Sequence, residues 1–364
     1  MLKNKRLLLF ITMSILIFIG LIMIFSSSYI WASYKFGDSL KYVKQQLIFV
    51  IFGFILLKFI MKLDESFFYK YSKYFLLCSF ILLILVLIPG VGSVRNGSRS
   101  WFGIGSFGVQ PSEAMKLAMI IFVSKYLSVN KKAYKKIRTI LFPLFIMGIA
   151  FFLIMLQPDF GTGFILVMSV ISVLFISGVN MKYFYTFGAF GVAGVIILIL
   201  IAPYRLDRIT SFLNPWSDPL GTGFQIIQSL YAIGPGGLLG FGFLNSRQKH
   251  FYLPEPQTDF IFSIICEEFG IFGALVVVLC FSSLCYLIIK IALEQGDLFK
   301  KYVIFGLGFQ ILFQTVLNLS VVIGLIPVTG VTLPFISYGG SSLLVTMTSI
   351  GIILNLSRNK YKHM

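Results

Sequence analysis

Residues 7–27 read LLLFITMSILIFIGLIMIFSS, an uncharged run introduced by Lys3, Lys5 and Arg6. About 20 consecutive apolar residues are what an α-helix needs to cross the hydrocarbon core of a bilayer. A basic start followed by an apolar run also resembles a secretory leader, but a leader's core is only about 7–15 residues long and ends at a small-residue cleavage site. This run is longer and no such site follows, so it reads as a first membrane span that is retained. Runs of the same character recur near 45–61, 74–90, 114–129, 138–156, 163–179, 183–203, 260–289, 302–325 and 341–357. Together they predict an all-α polytopic membrane protein of about ten transmembrane helices, one domain over residues 1–364. The composition agrees, with 58% hydrophobic and 12% charged residues, where soluble domains carry about 25% charged.

The net charge of +17 admits two explanations, nucleic acid or topology. Membrane proteins collect Lys and Arg in their cytoplasmic loops. With the amino terminus inside, cytoplasmic segments hold about 20 of the 30 basic residues, among them the cluster Lys131, Lys132, Lys135, Lys136 and Arg138. That bias removes the motive for nucleic-acid binding and places both termini in the cytoplasm. Segments 28–44, 91–113, 204–259 and 326–340 then face outward, the third forming a large extracytoplasmic loop between the seventh and eighth spans. Cys78, Cys266, Cys280 and Cys285 lie in apolar runs, where a thiol behaves as a small hydrophobe, and no disulfide framework is implied. His250 and His363 lack the clustered spacing of a zinc site. GPGGLLGFG at 234–242 has neither the βαβ context of a dinucleotide fingerprint nor the lysine of a P-loop, so no nucleotide is expected. Its glycines suggest tight backbone packing, and residues 224–233 a short helix at the membrane interface.

Two constellations carry chemistry. Asp259 stands where the long outward stretch enters the eighth span, and an Asp there reads either as an N-cap or as a functional acid. Glu255 four residues upstream and Glu267 and Glu268 two turns downstream favour the second reading, because acids near a bilayer are costly and face a partner or a cavity. QPSEAMK at 110–116 opens the fourth span, with Pro111 marking a helix start and Glu113 and Lys116 sharing a face at i,i+3. That is either a local ion pair or part of a site, and Lys116 sits on the side where lysine is depleted. Arg95, Arg99, Arg205, Arg208, Arg247 and Lys249 are further outward cations, each alone a headgroup anchor, together suited to an anionic lipid diphosphate. QPDFGTG at 157–163 places Asp159 outside the fifth span. IPVTGVTLPFISYGGSS at 326–342 demands a non-helical backbone, tolerated at membrane depth only where protein or a cavity surrounds it. Gln310, Gln314 and Asn318 recur at i+4 on the ninth span, a stripe that reads as interhelical glue.

At these residues the chain resembles the SEDS family (shape, elongation, division and sporulation), the FtsW/RodA/SpoVE-like membrane peptidoglycan polymerases. The matching motifs are NGSRSWFGIG at 96–105, QPSEAMK, QPDFGTG, RITSFLNPWSDPLGTGFQIIQSLYAIGPGGLLGFG at 208–242, YLPEPQTDFIFSIICEEFG at 252–270 and IGLIPVTGVTLPFISYGGSS at 323–342. They run through nearly the whole chain in family order. The NPW at 214–216, Lys249 and YLPE at 252–255 resemble the division and sporulation branch more than rod elongation. One departure is Gln257, where many relatives carry His.

The resemblance implies a ten-helix protein of the bacterial cytoplasmic membrane that polymerises lipid II into undecaprenyl-diphosphate-linked glycan on the outer face, beside a class B penicillin-binding transpeptidase. It carries the essential acid onto Asp259 and the supporting pair onto Glu113 and Lys116. A diphosphate leaves without protonation when its charge is stabilised, so one carboxylate suffices, unlike the acid and base pair of glycoside hydrolysis. Asp259 is expected to act as general base on a sugar hydroxyl, or to hold a divalent cation, Mg2+ or Mn2+, that does so. Lys116 is expected to keep Asp259 ionised. Arg205, Arg208, Lys249, Arg99, Asp159 and Glu255 are the expected diphosphate and sugar contacts. The rival readings are a flippase for the lipid-linked precursor and an inert scaffold for the transpeptidase. Against the first, the polar groups gather on one side, whereas alternating access expects a midplane site.

Overall fold

The computed structural model describes residues 2–95, 97–103, 108–130, 137–201, 212–221 and 223–358. Every apolar run lies on a helix. These are α1 (Leu2–Phe36), α2 (Lys41–Lys62), α3 (Ser66–Leu87), α4 (Pro111–Val129), α5 (Ile137–Met155), α6 (Phe160–Ile176) and α7 (Met181–Ile201). A short α8 (Phe224–Ile233) follows, then α9 (Ile261–Leu293), α10 (Leu298–Val322) and α11 (Gly340–Leu356). Five of them, α1, α2, α3, α9 and α10, are long and apolar enough to cross a membrane. Large apolar side chains such as Phe59, Leu77, Phe145, Phe272 and Leu279 stand exposed along the helices. Water would penalise such a surface and hydrocarbon does not, so the molecule is a polytopic helical membrane protein.

α10 occupies the middle, packing on α9, α6, α4 and α11, while α2 lies along α11 and α3 along α4. At the start of α7, Phe184 lies edge-on to Phe175 of α6. On the side assigned to the cytoplasm, ion pairs tie Lys5 to Glu294 and Lys300 to Glu65.

Two local outcomes depart from the sequence reading. Residues 28–36, expected as the start of an outward segment, continue α1 as helix to Phe36. The polar run Ser26 to Ser28 does not end the helix, because Ser27 and Ser28 donate to the carbonyls of Met23 and Ile24 one turn back, and Ser26 donates to Glu268. The outward segment after α3 also folds as an antiparallel hairpin, β1 (Ser93–Arg95) with β2 (Ser98–Trp101), an element that an all-helical reading leaves out.

The decisive irregularity is inside α9. Gly270 has φ 60° and ψ −154°, which breaks the helical ladder. The freed groups are taken up by the glycine-rich segment before it. Phe241 N and Gly242 N donate to the carbonyls of Glu267 and Glu268, at 3.0 and 2.9 Å, and Ile271 N and Phe272 N donate to Gly237 O and Leu238 O. Such close approach excludes side chains, since a Cβ on Gly240 would lie 2.3 Å from the Glu268 carbonyl group. The outward stretch is thereby stitched into the helix that follows Asp259.

Candidate active site

α4 starts at Pro111, whose missing N–H falls where the helix leaves one free, and carries Glu113 in its first turn where the helix dipole favours an acid. One turn on, Lys116 is 1% exposed. Its Nζ lies 2.8 Å from Glu113 Oε1 and 3.2 Å from Gln314 Oε1 of α10. The surface ion pair that the spacing alone allowed is thus a buried one. Charges out of water persist only when matched, so losing either partner leaves an uncompensated ion.

The amide stripe on α10 continues outward from there. Gln314 Nε2 donates to Thr332 O at 3.1 Å and to Ser342 Oγ at 3.3 Å. One turn later Asn318 Nδ2 donates to Asp259 O at 2.7 Å and to Val331 O at 2.8 Å. Gln314 and Asn318 therefore join four elements, α4, α11, the 323–339 segment and the mouth of α9. The sequence marked these residues by their spacing but assigned them only to helix packing.

Asp259 precedes α9, whose cap position is Phe260 with no side-chain capping bond. The N-cap reading is set aside, because the carboxylate satisfies none of the helix's free N–H groups. Burial pushes the Asp259 carboxyl up to about 6, and the charge of Glu255 adds to the rise. It retains some solvent access. Glu255 is exposed and sits at φ 43°, in a turn closed by Thr258, whose N and Oγ1 both donate to Glu255 O. On the facing 323–339 segment, a Cβ on Gly330 would stand 3.9 Å from Asp259 Oδ2.

Asp159 caps α6 by accepting from Thr162 N at 3.1 Å and takes Gln110 Nε2 at 2.6 Å. Burial raises its carboxyl, and Glu113 and Lys116 act on it in opposite directions, so it belongs with the buried pair. Arg99 is half-buried on β2 opposite Val94. Among the described residues it makes no hydrogen bond or ion pair with Asp259, Glu113 or Lys116. Arg205 and Arg208 lie outside the described residues.

Two expectations are corrected. Lys249 is not an outward cation: it is 2% exposed and its Nζ lies 2.7 Å from Glu268 Oε1. The Glu268 carboxylate also takes the Ser26 hydroxyl, at 2.6 and 2.7 Å, and Glu267 takes Ser246 Oγ at 2.5 Å and Arg247 N at 2.8 Å. Both acids are anchors for the outward stretch. Nor does Lys116 hold Asp259 ionised; its ammonium faces Glu113 and Gln314, and the charge that bears on Asp259 is Glu255.

Among the described residues no three His, Cys, Asp or Glu side chains gather as a metal cluster. Two oxygen atoms, one near Asp259 in sequence and one beside Gly330, are left over. Gln257 Oε1 and Thr329 Oγ1 are buried without hydrogen-bond partners, one two residues before Asp259 and the other next to Gly330. A hard cation bound through one carboxylate, neutral oxygens and water has this donor chemistry.

Fold and site together define a polytopic membrane protein with a carboxylate of raised pKa at one end of its helices and a buried acid and lysine pair behind it. The chain belongs to the FtsW/RodA/SpoVE family of cell cycle proteins, whose model matches residues 6–362. It is 53% identical over 356 residues to stage V sporulation protein E of Bacillus subtilis (strain 168), covering 98% of this chain and 97% of that one. It is 38% identical over 364 residues to a probable peptidoglycan glycosyltransferase FtsW of Saccharophagus degradans, covering 97% and 92%. Among solved structures it superposes with TM-score 0.80 and 28% identity on a chain from work on the structural coordination of polymerization and crosslinking by a peptidoglycan synthase complex, covering 97% and 98%. It also superposes with TM-score 0.72 and 25% identity on the rod shape determining protein RodA of Thermus thermophilus, covering 97% of each chain.

Proposed function

We propose that this family member is a peptidoglycan glycosyltransferase that polymerises lipid II into glycan strands at the outer face of the cytoplasmic membrane, for division or a related episode of wall synthesis. The observation that carries the reading is Asp259, a partly accessible carboxylate poised near pH 6 at the mouth of α9. A base works best with a pKa near the working pH. In the reaction Asp259 takes the proton of an acceptor sugar hydroxyl as its oxygen attacks the donor's anomeric carbon. The bond to the diphosphate breaks with its electron pair, and the configuration inverts. Arg205 and Arg208 of the outward stretch take the charge of the leaving diphosphate. Glu113 and Lys116 support the site from within as a buried pair, while Asp159 and Glu255 contact the sugars.

A divalent cation, Mg2+ or Mn2+, would be held through Asp259, with the unpartnered oxygens of Gln257 and Thr329 as candidate neutral donors, and would supply Lewis acidity and charge neutralisation. The likeness of this chain to one from a peptidoglycan synthase complex studied for polymerization and crosslinking supports a class B penicillin-binding transpeptidase as partner. A flippase would account for the many helices, the proline-broken connection before α11 and the acids Glu267 and Glu268, but those two acids are committed to Ser246, Arg247, Lys249 and Ser26.

The test is polymerisation of lipid II by the purified full-length protein in detergent, where no second leaflet exists for a flippase to serve. Wild type makes glycan chains, and Asp259→Asn makes none while remaining folded by thermal unfolding. Full activity of Asp259→Asn removes the assignment.

A further inference from the structure

The amide pair Gln314 and Asn318 has a geometry that helix packing alone does not ask for. Packing glue needs one bond across one interface. Gln314 instead touches three elements at once: Lys116 of α4, Thr332 of the segment before α11, and Ser342 of α11. Asn318 holds two backbone carbonyls, those of Asp259 and Val331, which belong to the stretch entering α9 and to the 323–339 segment. Both Nδ2 hydrogens of Asn318 are used in this way, which fixes the orientation of the amide, and Oδ1 is left without a partner. Gln314 and Asn318 are each 3% exposed or less, and they lie one turn apart on α10, a rise of about 6 Å on a rigid rod. Neither the lysine nor the acid is joined directly to the other; α10 is what relates them.

We propose that Gln314 and Asn318 are positioning residues for the transferase reaction: one turn apart on α10, they hold the buried Lys116 and Glu113 pair and the Asp259 backbone at a fixed separation, so that the base is presented to the sugar at one depth. Asn318 acts through the Asp259 carbonyl, locking the 255–259 turn against the 323–339 segment at Val331 so that the carboxylate is presented at one depth. Gln314 acts through Lys116, sharing it with Glu113 and so stopping the long side chain from following Glu113 alone. The inference rests on the reading of Asp259 as the base. It extends that reading to two side chains that themselves touch no reacting atom.

The test uses the full-length protein with lipid II in detergent, with kcat, KM and thermal unfolding measured together. Asn318→Leu and Gln314→Met keep the volume and remove the hydrogen bonds. Each is expected to lower kcat about tenfold to a hundredfold, the effect of a misplacement of about 1 Å, with KM within about twofold of wild type. Gln314→Glu keeps an acceptor for Lys116 and is expected to recover at least about a third of the kcat lost in Gln314→Met. Asn318→Ser is a smaller change that keeps a hydroxyl donor at the position and is expected to fall between wild type and Asn318→Leu; it reads the same question should the Leu variant fail to fold. A kcat within about twofold of wild type in the folded variants overturns the proposal, as does a loss confined to KM. A loss that simply follows the folded fraction also overturns it, since glue alone explains that result. Asp259→Asn is run alongside: if it is active, the reading of the base has failed, whereas an inactive Asp259→Asn with fully active Asn318 and Gln314 variants sinks the positioning role alone.

Discussion

At the scale of the residue, Asp259 decides the behaviour. A base must be ionised to act, so lipid II polymerisation by the wild type should fall as pH drops through about 6, the value to which burial and then Glu255 push its carboxyl. A pH profile of kcat checks this, and a flat profile between pH 5 and 7 contradicts it. The same shift has a consequence for stability. The folded-state value lies above the ordinary 3.8, so the native fold favours the protonated acid. That contribution is present in full below the ordinary value and is lost as pH rises through about 6. Asp259→Asn keeps the shape without the charge. It should therefore unfold at a higher temperature than wild type at pH 7, and the two should converge near pH 4. Asp259 and the pair Glu113 and Lys116 were legible in the sequence as acids and a lysine where a membrane protein should avoid them. Their environment was not, because desolvation depends on what packs around a group.

At the scale of the element, α9 and the glycine-rich segment before it form one device. The break at Gly270 requires a left-handed backbone, and a Cβ there would lie 2.6 Å from Gly240 N and from the Leu238 carbonyl group. Gly270→Ala should therefore destabilise the protein by more than the about 1 kcal/mol of an ordinary glycine change, and should abolish polymerisation by displacing the stretch that ends in Asp259. Thermal unfolding and the lipid II assay read the two effects. Lys249 and Glu268 close the same device from the side of α1. Lys249→Met or Glu268→Leu alone strands a buried charge and should cost about 3–5 kcal/mol, whereas the double variant should recover much of it. A double variant no better than the singles would show that hydrogen bonding from Ser26, and not the ion pair, is what matters. Gly236, Gly237, Gly240 and Gly242 announced tight packing in the sequence, but the helix they pack into lies beyond a gap of some 20 residues and no local pattern names it.

At the scale of the whole molecule, the charge bias predicts which side each end of the bundle faces. With both termini inside, a cysteine at Leu40, between α1 and α2, should react with a membrane-impermeant thiol reagent in intact cells. A cysteine at Gly296, between α9 and α10, should react only after permeabilisation. The reverse pattern would invert the topology and move Asp259 to the cytoplasmic face, against an extracytoplasmic polymerase.

The amino-acid sequence by itself determined the class of fold, because hydropathy is a local property: a run of about 20 apolar residues is a membrane helix whatever its neighbours. It also determined the family, through motifs distributed along the chain, and singled out Asp259, Glu113 and Lys116. Only the tertiary structure decided which polar groups belong to one another. Lys249 went to Glu268 instead of a ligand, Lys116 to Glu113 and Gln314 instead of Asp259, and the amide stripe of α10 to the backbones of Asp259, Val331 and Thr332. These pairings join residues up to about 200 positions apart. They are settled by the depth and crossing of packed helices, since a buried donor or charge must find a partner wherever packing places one.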